Sequence, residues 1–106
     1  MEKIATVDEI SIGEMKSFLI KNKEILIVNV DGEFFAMDNR CSHMGGNLSE
    51  GTLEGDVVVC PRHGSRFNVR NGEAVKGPKI ILIRLGTNNL SVYPLEIQEN
   101  DILIEV

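Results

Sequence analysis

The sequence predicts an all-β fold, and three observations carry that prediction. Short β-branched runs recur along the chain, Asp-Gly and Asn-Gly pairs separate such runs, and helical periodicity is weak in a chain with 10 glycines. At 106 residues the chain makes one domain, 1–106, with a modest core drawn from 42% hydrophobic residues.

The first strand is expected over Lys3–Val7. "DEISIGEMKSF" follows, with Asp8, Ser11 and Gly13 as turn or cap signals and room for one short helical turn. "EILIVNV" (24–30) and "EFFAMDN" (33–39) flank Asp31-Gly32, a strong hairpin signal. Residues 41–55 lose periodicity, gain four glycines and read as loop. "DVVVC" (56–60) reads as a short buried strand. "RFNVR" (66–70) and "EAVK" (73–76) flank Asn71-Gly72 as a second hairpin. Gly77-Pro78 breaks the pattern, "IILIRL" (80–85) resumes it, and "LSVYPLEI" (90–97) and "DILIEV" (101–106) close the sheet.

No repeat, low-complexity tract or linker interrupts the chain. A β-scaffold lies on either side of residues 40–79, which read as an inserted subdomain of loops and small hairpins. The N-terminus lacks a basic start followed by an apolar run, and no run approaches the ~18 apolar residues of a bilayer span. The expectation is a cytoplasmic protein with no membrane partner, in a compartment that disfavours a Cys41–Cys60 disulfide. Net charge is −5 but uneven: Arg40 to Lys79 carries six basic and four acidic residues, the remainder five and twelve. That balance excludes a nucleic-acid partner and leaves the 40–79 end relatively positive.

Two stretches, "CSHMGG" (41–46) and "CPRHGSRF" (60–67), hold both cysteines and both histidines of the chain. Cys-x-His, sixteen residues and Cys-x-x-His give each segment one donor of each kind. A tetrahedral zinc site can use two Cys and two His, although zinc fingers place both Cys in one knuckle and both His on one helix. Two metals bridged by sulfide fit the interleaved order better, with unlike ligand pairs on each metal. A mononuclear two-His-one-carboxylate iron centre would need ligands beyond His43 and His63, and no dinucleotide fingerprint is present.

"CSHMGGNLSEG" and "CPRHGSRFNVRNGEAVKGP" closely resemble the two cluster-binding loops of Rieske [2Fe-2S] proteins in ligand type, spacing and Gly/Pro framework. The resemblance is close over 40–79 and general in the flanking strands. It implies a Rieske-like antiparallel β-sandwich with a small inserted cluster-binding subdomain. It implies one [2Fe-2S] cluster, with Cys41 and Cys60 on one iron and His43 and His63 on the other. Pro78 would sit in a third loop over the cluster, Met44 could shield it or simply fill space, and Ser65 would tune it by donating to a sulfur. Gly45, Gly46 and Gly64 would permit tight loops near it.

Such a cluster is neutral when oxidised and a monoanion when reduced, whereas four thiolates make the oxidised form a dianion. The potential therefore rises from roughly −400 mV to about −150 to +300 mV, and it should fall at alkaline pH as His43 and His63 deprotonate. High-potential respiratory members carry a Tyr where Phe67 stands, an extra cysteine in each loop and a membrane anchor. Phe67 reads instead as core, and these departures place the chain in the low-potential, soluble branch. Ser65, Arg40, Arg62 and Arg66 pull the potential upward, so low to intermediate is expected.

The chain resembles the ferredoxin component of multicomponent ring-hydroxylating dioxygenases. That resemblance implies a one-electron carrier, not an enzyme in itself. A flavin-dependent ferredoxin reductase and a terminal oxygenase would dock transiently near His43 and His63. Two alternatives stand beside this: a small Rieske-like subunit of a larger reductase of the nitrite reductase type, and a structural zinc-binding interaction module.

Overall fold

The computed structural model describes residues 1–42, 45–62, 64–76 and 89–106. Within them the protein is β throughout, with two short 3-10 turns and no α-helix. Among the described residues, eleven strands form three antiparallel sheets. The basal sheet orders β1 (Glu2–Thr6), β11 (Asp101–Ile104) and β10 (Leu95–Gln98). The central sheet orders β2 (Met15–Ile20), β3 (Lys23–Val30), β4 (Glu33–Asp38) and β9 (Val92–Tyr93). The third orders β5 (Thr52–Glu54), β6 (Val57–Val59), β7 (Arg66–Asn68) and β8 (Ala74–Lys76).

Strand β3 explains why "EILIVNV" is apolar without alternation: Ile25 through Val30 are all buried. Ile25 and Ile27 pack with Ala5, Ile10, Ala36, Ile102 and Ile104, beneath the basal sheet. Leu26, Val28 and Val30 pack on the other side with Met37, Leu48, Val58, Phe67 and Val69. Successive strand residues point to opposite faces, so one strand serves two cores. Asn29 breaks the apolar run, and its buried amide is satisfied: Nδ2 donates to the Ile10 carbonyl at 2.9 Å, and Oδ1 accepts from the Gly32 N–H at 2.8 Å.

The expected β3–β4 hairpin forms in full register, Ile25 opposite Asp38 to Val30 opposite Glu33. Asp31 and Gly32 both take the left-handed conformation that this tight turn requires, at φ +53° and +93°. Several expectations are revised. Residues 15–18, read as part of a turn-rich stretch, lie in β2, which runs on to Ile20 and joins β3 through Lys21-Asn22 at φ +50° and +62°. The single helical turn is a 3-10 turn at Val7–Glu9, where the Glu9 carboxylate accepts from the Thr6 N–H at 2.7 Å. That bond holds the Glu9 pKa below the usual carboxylate range.

The stretch read as loop over 41–55 contains a 3-10 turn (Leu48–Glu50) and strand β5. The Asn71-Gly72 turn is wider than expected, because β7 ends at Asn68, whose N–H bonds to the Glu73 carbonyl at 2.9 Å. Asn68 and Asn71 side chains brace that loop by accepting from Arg70 and Glu73 N–H groups. Pro94 splits the expected 90–97 strand into β9 and β10, since it has no N–H for a ladder. The expected strand at 80–85 lies outside the described residues.

Candidate metal centre

The two cysteine segments fold the same way. In the first, Arg40 and Asn47 form a bridge, the Cys41 N–H donates to the Gly46 carbonyl at 2.8 Å, and the Gly45 N–H returns to the Cys41 carbonyl at 2.8 Å. In the second, Val59 pairs with Arg66, the Cys60 N–H donates to the Ser65 carbonyl at 2.8 Å, and the Gly64 N–H returns to the Cys60 carbonyl at 3.1 Å. Gly45 and Gly64 occupy equivalent positions, both left-handed at φ +68° and +74°. Each cysteine thus opens a tight loop at the mouth of two paired segments, and a side chain from each loop can turn toward the other.

Both cysteines are thiols and only 3% exposed, in the same apolar cluster as Leu48, Val58 and Phe67. The loops meet closely. A Cβ on Gly46 would lie 2.8 Å from the Cys60 Sγ, so the absence of a side chain there lets the first loop pass the second loop's sulfur. Ser65 is fully buried, and its hydroxyl oxygen has no hydrogen-bond partner among the described residues. A buried hydroxyl left unpaired costs about 1–3 kcal/mol. Two buried thiols, with an unpartnered buried hydroxyl in the Cys60 loop, suit a soft metal group carrying sulfur acceptors, and the described residues fit a [2Fe-2S] cluster.

His43, His63, Met44 and Pro78 lie outside the described residues. Among the described residues, no group of three or more His, Cys, Asp or Glu could hold a metal. Phe67 is fully buried in β7, opposite Val58 and Ala74, as its assignment to the core expected.

Sequence reading did not identify the polar brace of the first loop. Buried Asn39 donates from Nδ2 to Asn47 Oδ1 at 2.8 Å, and its Oδ1 accepts from the Ser49 N–H at 3.0 Å. Asn47 also caps the 3-10 turn, accepting from the Ser49 N–H and hydroxyl at 3.1 and 2.6 Å. The signal was present in Asn47-Leu-Ser, a capping residue two positions before its donor.

Among the described residues, two of the cations expected to make this end positive are engaged. Arg40 binds Glu24 through Nε and Nη2 at 2.6 and 2.9 Å, and this hydrogen bonding lowers the Glu24 pKa and raises that of Arg40. Arg66 binds Glu54 at 2.8 Å.

Comparison with known proteins agrees with this reading of the loops. A family model described as the Rieske [2Fe-2S] domain matches residues 1–86. The biphenyl dioxygenase ferredoxin subunit of Pseudomonas sp. (strain KKS102) is 38% identical over 104 residues, covering 97% of this chain and 89% of that protein. The ferredoxin component of the naphthalene 1,2-dioxygenase system of Pseudomonas aeruginosa is 34% identical over 98 residues, covering 92% and 88%. Among solved structures, a chain from the complex of reduced oxygenase and oxidized ferredoxin in carbazole 1,9a-dioxygenase superposes with TM-score 0.85 at 29% identity, covering 97% of this chain and 99% of that one. With paired loops, buried thiols and a family match over most of its length, this chain belongs to the Rieske [2Fe-2S] family.

Proposed function

We propose that this chain is the ferredoxin of a ring-hydroxylating dioxygenase system, accepting one electron from a flavin reductase and passing it to a terminal oxygenase. It is a carrier and not itself an enzyme, as its relatives are ferredoxin components of such systems. The complex of oxygenase and ferredoxin in carbazole 1,9a-dioxygenase supports the acceptor half of this reading. Ligation by Cys41 and Cys60 at one iron and by His43 and His63 at the other is part of the proposal. The observation that carries it is the pair of equivalent loops, each opened by a buried cysteine, with the Cys60 sulfur set against Gly46 of the other loop.

When bound, the cluster supplies one-electron redox chemistry without proton or group transfer by the protein. The chain's own residues do the rest. Cys41 and Cys60 would hold the group from within the core, and Leu48, Val58 and Phe67, packed in the same cluster, would keep water from it. Ser65 would donate to a cluster sulfur, satisfying its hydroxyl and favouring the reduced state. No helix among the described residues is long and apolar enough to cross a membrane, which is compatible with the cytoplasmic placement we assign.

The test is ligand replacement with spectroscopy. Cys41→Ser and Cys60→Ser should lose the visible spectrum, and His63→Cys should give an all-sulfur-like spectrum with lower potential or no cluster. Unchanged spectra in His43→Ala and His63→Ala would contradict the ligand assignment.

A further inference from the structure

The arginines around the cysteine loops divide into two kinds. Arg40 is held by Glu24, Arg66 by Glu54, and Arg70 lies between Glu33 at 3.4 Å and Asp56 at 3.5 Å. Each of these charges is compensated where it stands. Arg62 differs: it is exposed and makes no ion pair among the described residues.

Its position is also specific. Arg62 lies within the Cys60–His63 segment, and its stem crosses to the opposite loop. The point where a Gly46 Cβ would stand is 3.3 Å from Arg62 Cγ and 3.4 Å from Cδ, and 2.8 Å from the Cys60 sulfur. The Gly46 backbone, the Cys60 sulfur and the Arg62 stem therefore meet at one place. A cation with no ion-pair partner among the described residues is thus anchored beside a sulfur proposed to hold iron.

We propose that Arg62 is an electrostatic tuning residue of this protein, raising the cluster's reduction potential through a charge that no ion pair among the described residues offsets. The proposal rests on the cluster reading above. Reduction adds one electron from an external donor to a neutral centre, making it a monoanion, with no bond broken and no proton moved. A nearby positive charge attracts only the reduced form, so it shifts the equilibrium toward reduction. Arg40 and Arg66 each stand beside a carboxylate, and their attraction is largely cancelled. The guanidinium of Arg62 is exposed, so salt screens its effect.

Two signatures follow from a charge effect and not from packing. Removing one charge in Arg62→Gln lowers the potential, and reversing it in Arg62→Glu lowers it about twice as far, because Coulomb energy is linear in charge. Arg62→Lys restores the wild-type value. Neutralising both members of the compensated pair, in the double variant Glu24→Gln/Arg40→Gln, leaves the potential in place.

The experiment is protein-film voltammetry of the cluster-loaded variants at low and high salt, with EPR to confirm an intact centre. The proposal predicts the graded decrease, its attenuation by salt and the lysine rescue. Wild-type potentials in both Arg62→Gln and Arg62→Glu, with unaltered EPR signals, overturn it while leaving the carrier function intact. Wild-type protein with no iron, no sulfide and no voltammetric wave overturns the cluster reading and this proposal together.

Discussion

Asn39 and Asn47 are joined amide to carbonyl at 2.8 Å across the neck of the first cysteine loop. Asn39 is fully buried, and its backbone N–H bonds to the Glu24 carbonyl of β3 at 3.0 Å while its carbonyl accepts from the Leu48 N–H at 2.9 Å. One residue thus ties the central sheet to both flanks of the loop. Asn39→Ala strips two side-chain bonds from a buried site and leaves partners unpaired. The expected loss is about 1–3 kcal/mol in urea unfolding, with faster loss of bound iron. A wild-type midpoint would contradict this role.

Ser65→Ala should separate stability from redox behaviour. The hydroxyl has no partner among the described residues, so its removal should leave the cluster-free protein as stable as wild type or more so. In the loaded protein the same change should lower the reduction potential, because a donor to a cluster sulfur is lost. Paired apo unfolding curves and holo voltammetry check both signs.

Phe67→Ala should be the most damaging single core truncation near the site. The ring is fully buried among Leu26, Met37, Val58, Val69 and both cysteines. The expected cost is about 3–5 kcal/mol, read as a lowered unfolding midpoint. Leu19→Ala offers the control, since Leu19 is 73% exposed on β2 and its truncation should cost little.

Tyr93 supplies a pH signature. Its hydroxyl donates to Asp38 Oδ1 at 2.5 Å, and desolvation, then that bond and the Asp38 charge, push its pKa up to about 12. The folded value lies above the ordinary value of about 10, so the stability tied to the neutral phenol is complete below pH about 10. It is lost as pH climbs toward about 12. Tyr93→Phe should be less stable at neutral pH by about 1 kcal/mol and should show a shallower alkaline decline. Parallel alkaline curves for the two proteins would contradict this.

What the sequence reveals follows from how local each cause is. The β3–β4 hairpin is legible because Asp31-Gly32 supplies the left-handed turn and both faces of β3 are buried, leaving an apolar run broken only by Asn29. Strand β2 is hidden because its turn uses Lys21-Asn22 and its outer residues include exposed Leu19. Strand β5 is hidden by the glycines around it. Gly51 is there for close packing rather than flexibility, since a Cβ on it would lie 2.0 Å from the Val59 carbonyl. The cysteine positions and Ser65 are legible from motif spacing, whereas the likeness of the two loops is not. It lies in backbone bonds from Cys41 to Gly46 and from Cys60 to Ser65, which Cys-x-His and Cys-x-x-His obscure by placing the histidines at different offsets. The pairing of Arg40 and Arg66 was likewise invisible, because Glu24 and Glu54 are 16 and 12 residues away in the chain.

The central claim is a bound [2Fe-2S] cluster of Rieske type, and one preparation tests it. Protein purified in air is analysed for iron and sulfide, then examined by visible absorption and by low-temperature EPR after dithionite reduction. The account predicts a red-brown protein with two irons and two sulfides per chain and the low-average-g signal of mixed Cys/His ligation. A colourless, EPR-silent protein carrying one zinc would contradict it and leave Cys41 and Cys60 as parts of a structural clip.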